Sequence, residues 1–87
     1  FLCNDNQLTS LKGAPRKVGR DFNCDSNELV SLKGAPQEVG DRFLCEYNKL
    51  TSLDHLPRKI RGSLWARFNN LPNGIEKPAC AKGAFFK

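Results

Sequence analysis

The chain has no methionine, a single histidine, tryptophan and tyrosine, and no apolar run approaching the roughly 20 residues that a membrane helix requires. The last of these absences excludes a helical membrane span, so no membrane insertion is expected, and no secretory signal is visible. His55, the sole histidine, has no cysteine or carboxylate at catalytic spacing and is expected to be an exposed loop residue. No Ser-His-Asp order, phosphate-cradling glycine loop or paired-acid motif can be assembled. The four cysteines contain no C-x-x-C pair, so the spacing of a zinc knuckle is missing as well. These gaps argue against an enzyme, and neither a cofactor nor a metal is expected.

What is present is repetition. Phe22, Cys24, Asn27, Leu29 and Leu32 spell F-x-C-x-x-N-x-L-x-x-L, and the frame recurs at Phe1, Cys3, Asn6, Leu8 and Leu11 and at Phe43, Cys45, Asn48, Leu50 and Leu53, an offset of 21 residues each time. A decayed fourth copy runs from Leu64 through Asn69 to Leu71, with Ala66 in place of the cysteine. A fixed period of this length marks a solenoid, in which one unit cannot bury its apolar face alone and must stack on its neighbours. Phe and Cys stand two apart, as on one face of a short strand, so stacked copies form a short parallel β-sheet.

Between strands come Gly13-Ala14-Pro15, Gly34-Ala35-Pro36 and His55-Leu56-Pro57. Proline lacks a donor and keeps its predecessor extended, so the returns are expected to be extended with turns and not helical. Gly19, Gly40 and Gly62 then mark a bend leading back to the sheet. Asn6, Asn27, Asn48 and Asn69 stand where the backbone leaves the strand, and a buried amide there needs main-chain partners, which predicts an asparagine ladder. About four repeats result, divided into a solenoid over residues 1–71 and a degenerate repeat or C-terminal cap over 72–87. With no methionine and a first residue already inside a repeat, the chain is expected to be a piece of a longer protein, with flanking repeats or neighbouring chains at both ends.

The run L-x-S-L, a proline, and then F-x-C-x-x-N-x-L resembles the leucine-rich repeat, L-x-x-L-x-L-x-x-N/C-x-L. Phe22, Cys24, Asn27 and Leu29 match its second leucine, third leucine, asparagine and final leucine. The short period and proline return are similar to the bacterial class of these repeats found in secreted effectors. The Gly-Ala-Pro-x-x-Val-Gly arrays with Phe-x-Cys strands are more similar to repeat proteins of bacteriophages. The resemblance covers residues 1–71, and it implies a binding scaffold. Val18 stands four positions before Phe22 where the family pattern sets three, which implies a different bend ahead of each strand.

Cys3, Cys24 and Cys45 fall in one inward column, where small apolar packing is the simplest role for a thiol. A row of reduced thiols fits a reducing, cytoplasmic compartment, and Cys80, outside the column, is expected to be the reactive or exposed one. Phe22, Phe43, Leu29, Leu50, Leu32 and Leu53 are the expected core, at about 1.5–3 kcal/mol each.

Two surfaces are candidates for function. Three columns face outward: Leu2, Asn23, Leu44 and Trp65; Asn4, Asp25, Glu46 and Arg67; Asp5, Ser26, Tyr47 and Phe68. Leu44, Tyr47, Trp65, Arg67 and Phe68 thus gather aromatic and arginine side chains of the kind that protein interfaces enrich. The plainer alternative is that they cover the narrowing end of the sheet or meet flanking sequence.

Charge supplies the second surface. Residues 1–53 hold seven basic and seven acidic residues, whereas 54–87 hold seven basic and two acidic, so the whole net charge of +5 lies in the last third. Arg58, Lys59, Arg61, Lys77 and Lys82 are therefore candidates for contact with nucleic acid or another anionic surface, against the plainer role of a solvated end. A third possibility is a structural element of a larger, phage-like assembly, in which neighbouring copies cover the open sheet edges.

Overall fold

The computed structural model describes residues 1–87, and its regular structure is all strand. In chain order the strands are β1 (Lys17–Val18), β2 (Phe22–Asn23), β3 (Glu38–Val39), β4 (Phe43–Leu44), β5 (Lys59–Ile60), β6 (Leu64–Trp65) and β7 (Phe85–Phe86). No helix forms, so none is long and apolar enough to cross a membrane. Pro15, Pro36, Pro57 and Pro78 supply the local reason, because one proline in each return removes a donor and holds the preceding residue extended.

Two parallel sheets result where one was expected. The first has the order β1-β3-β5 and the second β2-β4-β6-β7. Residues 21 apart pair throughout: Val18 with Val39 and Val39 with Ile60 in the first sheet; Phe22 with Phe43, Phe43 with Leu64 and Leu64 with Phe85 in the second. Single bridges, Leu2 with Asn23 and Ile60 with Ala81, add a further rung to each. The segment expected to be a plain return therefore carries a ladder of its own, with Gly40 N–H donating to Val18 O at 2.7 Å and Arg61 N–H to Val39 O at 3.0 Å.

The bend between the two sheets depends on glycine. A Cβ at Gly40 would lie 2.1 Å from the Gly19 carbonyl oxygen, so no side chain fits at that rung; in the next rung Arg61 holds this phase and the tight glycine moves one residue on, to Gly62. The turn after the second sheet depends on asparagine. Asn27 Nδ2 donates to its own strand at Cys24 O (3.0 Å) and across to Cys3 O (3.0 Å), while its Oδ1 accepts from Leu8 N–H at 3.1 Å. Asn48 repeats the set with Cys45 O, Cys24 O and Leu29 N–H, and Asn69 with Ala66 O, Cys45 O and Leu50 N–H. Each buried amide is satisfied by main chain, and each ties one rung to the one before it.

The inward side chains of both sheets form one core. Phe22, Phe43, Leu64, Cys24, Cys45, Leu29, Leu32, Leu50 and Ile60 are fully buried, with Val18, Val39, Leu11, Ala66 and Ala81 beside them. Phe22 stacks on Phe43 at a centroid distance of 5.3 Å and on Phe1 at 5.5 Å, and Phe1 itself is half exposed. Leu53 is only half-buried, short of the core place expected for it, and packs against the margin of the cluster.

Candidate functional site

The outward side of the second sheet is built from the same rungs. Asn23, Leu44, Trp65 and Phe86 are successive Cα partners, so an apolar column grows toward β7. The Trp65 and Phe86 rings stack at 3.9 Å with 21° between their planes. Trp65 Nε1–H is enclosed without an acceptor, so stacking and not a polar anchor positions the indole. Phe86 was not among the residues singled out from the sequence, although its place 21 residues after Trp65 was a usable signal.

One residue beyond Cys24 and its equivalents, side chains cap the next rung. Asp25 Oδ1 accepts from Glu46 N–H at 2.6 Å, and Glu46 Oε2 accepts from Arg67 N–H at 3.2 Å and from Arg67 Nε at 2.8 Å. Glu46 is consequently buried, and not the solvent-facing border residue that its column suggested. Burial raises the Asp25 carboxyl above its usual range, and the nearby Glu46 and Asp5 charges add to this, against the lowering effect of the bond from the Glu46 amide. Glu46 raises the Arg67 guanidinium in turn through their hydrogen bond and charge.

Held this way, the Arg67 guanidinium carbon lies 5.4 Å from the Trp65 ring centre and 5.6 Å from that of Phe68. Both fall within cation–π reach. Phe68 stacks on Tyr47 at 4.5 Å with 12° between planes, and the two remain 58% and 56% exposed. Phe86, Trp65, Arg67, Phe68 and Tyr47 thus form one continuous ridge. Leu44, half-buried, is paired to Trp65 at its base.

Tyr47 and Phe68 also occupy unusual backbone. Their φ angles are +57° and +62°, matching Asp5 (+57°) and Ser26 (+56°) at the same phase of the repeat. The asparagine side chain forces this turn by gripping the carbonyls two and three residues before it. Small polar residues tolerate the left-handed region, but a bulky ring there costs on the order of 1–2 kcal/mol.

The basic candidates are partly brought together. Lys59 lies on β5, Arg58 and Arg61 flank it, and Lys82 follows Ala81, the bridge partner of Ile60. Arg58 Nη2 is paired to Glu38 Oε2 at 3.0 Å. Lys77 is exposed in the last return and lines neither cleft beside β5.

The thiols are not poised for chemistry. Burial pushes Cys24 and Cys45 well above the ordinary cysteine range, and it raises Cys3 and Cys80 as well. Cys80 is half-buried, packing against the core on one side and lining the cleft beside Lys59 on the other. His55 is exposed at φ +69°, in the left-handed position that Gly13 (+91°) and Gly34 (+94°) hold in the first two returns. No protein-family model, curated protein or solved structure matches the chain.

Proposed function

We propose that the chain is a short solenoid of the leucine-rich-repeat kind and a non-catalytic scaffold that binds another protein through the ridge of Tyr47, Phe68, Arg67, Trp65 and Phe86. The solenoid reading rests on the 21-residue register of both sheets and on amide bonds that run from rung to rung. The observation that carries the binding reading is the placement of Tyr47 and Phe68. Two large rings stand in left-handed backbone, more than half exposed, at a phase that Asp5 and Ser26 fill with small polar side chains at the same φ. Strain kept at a surface position without core burial in return points to use of that surface.

Arginine fixed between aromatic rings is the composition of an interface hot spot, and its pairing with buried Glu46 holds it ready, so little side-chain freedom is lost on binding. The test is a comparison of stability with affinity. A partner isolated by affinity capture on the wild-type chain should bind the Trp65→Ala variant more weakly by about 2 kcal/mol or more. The double variant Tyr47→Asn/Phe68→Asn should lose that partner while its unfolding free energy stays within about 1 kcal/mol of wild type, because relief of backbone strain offsets the lost ring stacking. Undiminished affinity in both folded variants sinks the proposal.

A further inference from the structure

The outward side of the first sheet carries a different chemistry. Lys17, Glu38 and Lys59 are Cα partners on β1, β3 and β5. Glu38 is the only acid among them, and one of its oxygens, Oε2, serves both Arg58 Nη2 at 3.0 Å and Lys17 Nζ at 3.8 Å. Lys59, Arg61 and Lys82 have no carboxylate within ion-pair distance. Five cations around one carboxylate leave a surplus of four, nearly the whole net charge of +5.

These side chains line two open clefts of about 370 and 270 Å³ that meet along β3 and β5. Glu38 and Lys59 belong to both clefts; the first adds Arg58 and Lys82, and the second Lys17 and Arg61. The cations therefore follow a path and not a point. None of the exposed large apolar residues, Phe1, Leu2, Val30, Tyr47 and Phe68, lines either cleft.

We infer that this strip of the first sheet is a second binding site, which takes the phosphate backbone of a single-stranded nucleic acid. Val18 and Val39 line the second cleft but are buried, so neither cleft presents a large exposed apolar anchor of the kind that protein interfaces and inserting membrane contacts use. Nucleic-acid interfaces are more polar and more positive than protein interfaces, and cation–phosphate contacts by themselves hold a strand without sequence preference. No aromatic side chain lines these clefts, so the backbone and not the bases is what they hold. Glu38 divides the cation row, so its removal should strengthen the site by freeing Arg58 and Lys17.

The experiment is fluorescence anisotropy with a labelled oligothymidylate and the whole chain, with circular dichroism and the thermal midpoint of each variant measured alongside. Three phosphate contacts predict a fall in affinity of about 20-fold between about 50 and 200 mM salt. The triple variant Lys59→Gln/Arg61→Gln/Lys82→Gln should abolish binding and flatten that dependence, and Glu38→Gln should tighten binding several-fold. If the triple variant fails to fold, Glu38→Gln alone decides, and an unchanged or weakened affinity in it overturns the site. No binding at low salt, an unaltered affinity in a folded triple variant, or equal binding to polyglutamate or to phosphatidylserine vesicles overturns it as well.

Discussion

The first and middle rungs share one motif but not one environment. Phe43 and Phe1 begin the same F-x-C-x-x-N-x-L frame, yet Phe43 is fully buried with Phe22 stacked against it, whereas Phe1 is half exposed. Asn48 and Asn6 likewise occupy one phase. Asn48 bonds its own strand and the preceding rung through four hydrogen bonds, whereas Asn6 bonds only its own rung, at Cys3 O and Asn4 O. Identical letters thus have unequal energetic weight, because in stacked units most of a residue's partners lie in the adjacent unit.

The contrast can be broken most directly at the aromatic column. Phe43→Ala should lower the unfolding free energy by about 3–5 kcal/mol, a buried ring being replaced by a cavity. Phe1→Ala should cost less than about 1 kcal/mol, since its ring is half in solvent. Chemical denaturation of the two variants measures both, and equal losses would remove the distinction between the buried and the half-exposed rung.

A second, smaller gap is expected in the asparagine ladder. Asn48→Ala strands the buried Leu29 N–H and leaves the Cys24 and Cys45 carbonyls with one amide donor each, from Asn27 and Asn69, at about 1–3 kcal/mol in all. Asn6→Ala takes one donor from the Asn4 carbonyl and leaves Cys3 O with its bond from Asn27, at less than about 1 kcal/mol. Amide hydrogen exchange at Leu29 should accelerate in the first variant and stay at its wild-type rate in the second.

The smallest effect sharpens the comparison between returns. His55 holds a left-handed position that its two predecessors fill with glycine, so His55→Gly should raise stability by about 1 kcal/mol. Gly34→Ala should act the opposite way and cost at least about 1 kcal/mol, because φ there is +94° and the added Cβ would lie 2.8 Å from the Leu11 carbonyl carbon. Thermal midpoints rank the pair, and a stabilised Gly34→Ala protein would contradict the strain argument.

Several elements of this structure could be read before any coordinate. The inward Phe and Cys columns, the asparagine bonds and the absence of helix follow from a period repeated three times with proline in each return, since each reports a local choice made identically in every unit. The first sheet could not be read in this way. Its strands, Lys17–Val18, Glu38–Val39 and Lys59–Ile60, are two residues long with one apolar side chain each, too short for an alternation to register. The burial of Glu46 escaped for a related reason. A carboxylate in an outward column looks solvated until Arg67, one rung away, is seen to turn it inward.

The ridge was legible in composition but not in geometry. Leu44, Tyr47, Trp65, Arg67 and Phe68 could be grouped from their 21-residue spacing, whereas Phe86 went unremarked beside a degenerate frame. The left-handed backbone under Tyr47 and Phe68 ran against every local preference of an aromatic residue, so propensity would have placed it elsewhere. The basic cluster shows the same limit. The charge excess of the last third was a matter of counting, but Lys17 joined it only because β3 pairs with both β1 and β5.

Sequence alone determined the period and the inward Phe, Cys and Asn columns, because side-chain alternation and turn chemistry act within a few residues and recur every 21. Tertiary structure decided the second sheet, the buried carboxylate, the strain under the ridge and the sharing of Glu38 by Lys17 and Arg58. Those features arise from contacts between neighbouring rungs, where the energy of a side chain depends on what the adjacent turn of the chain places against it.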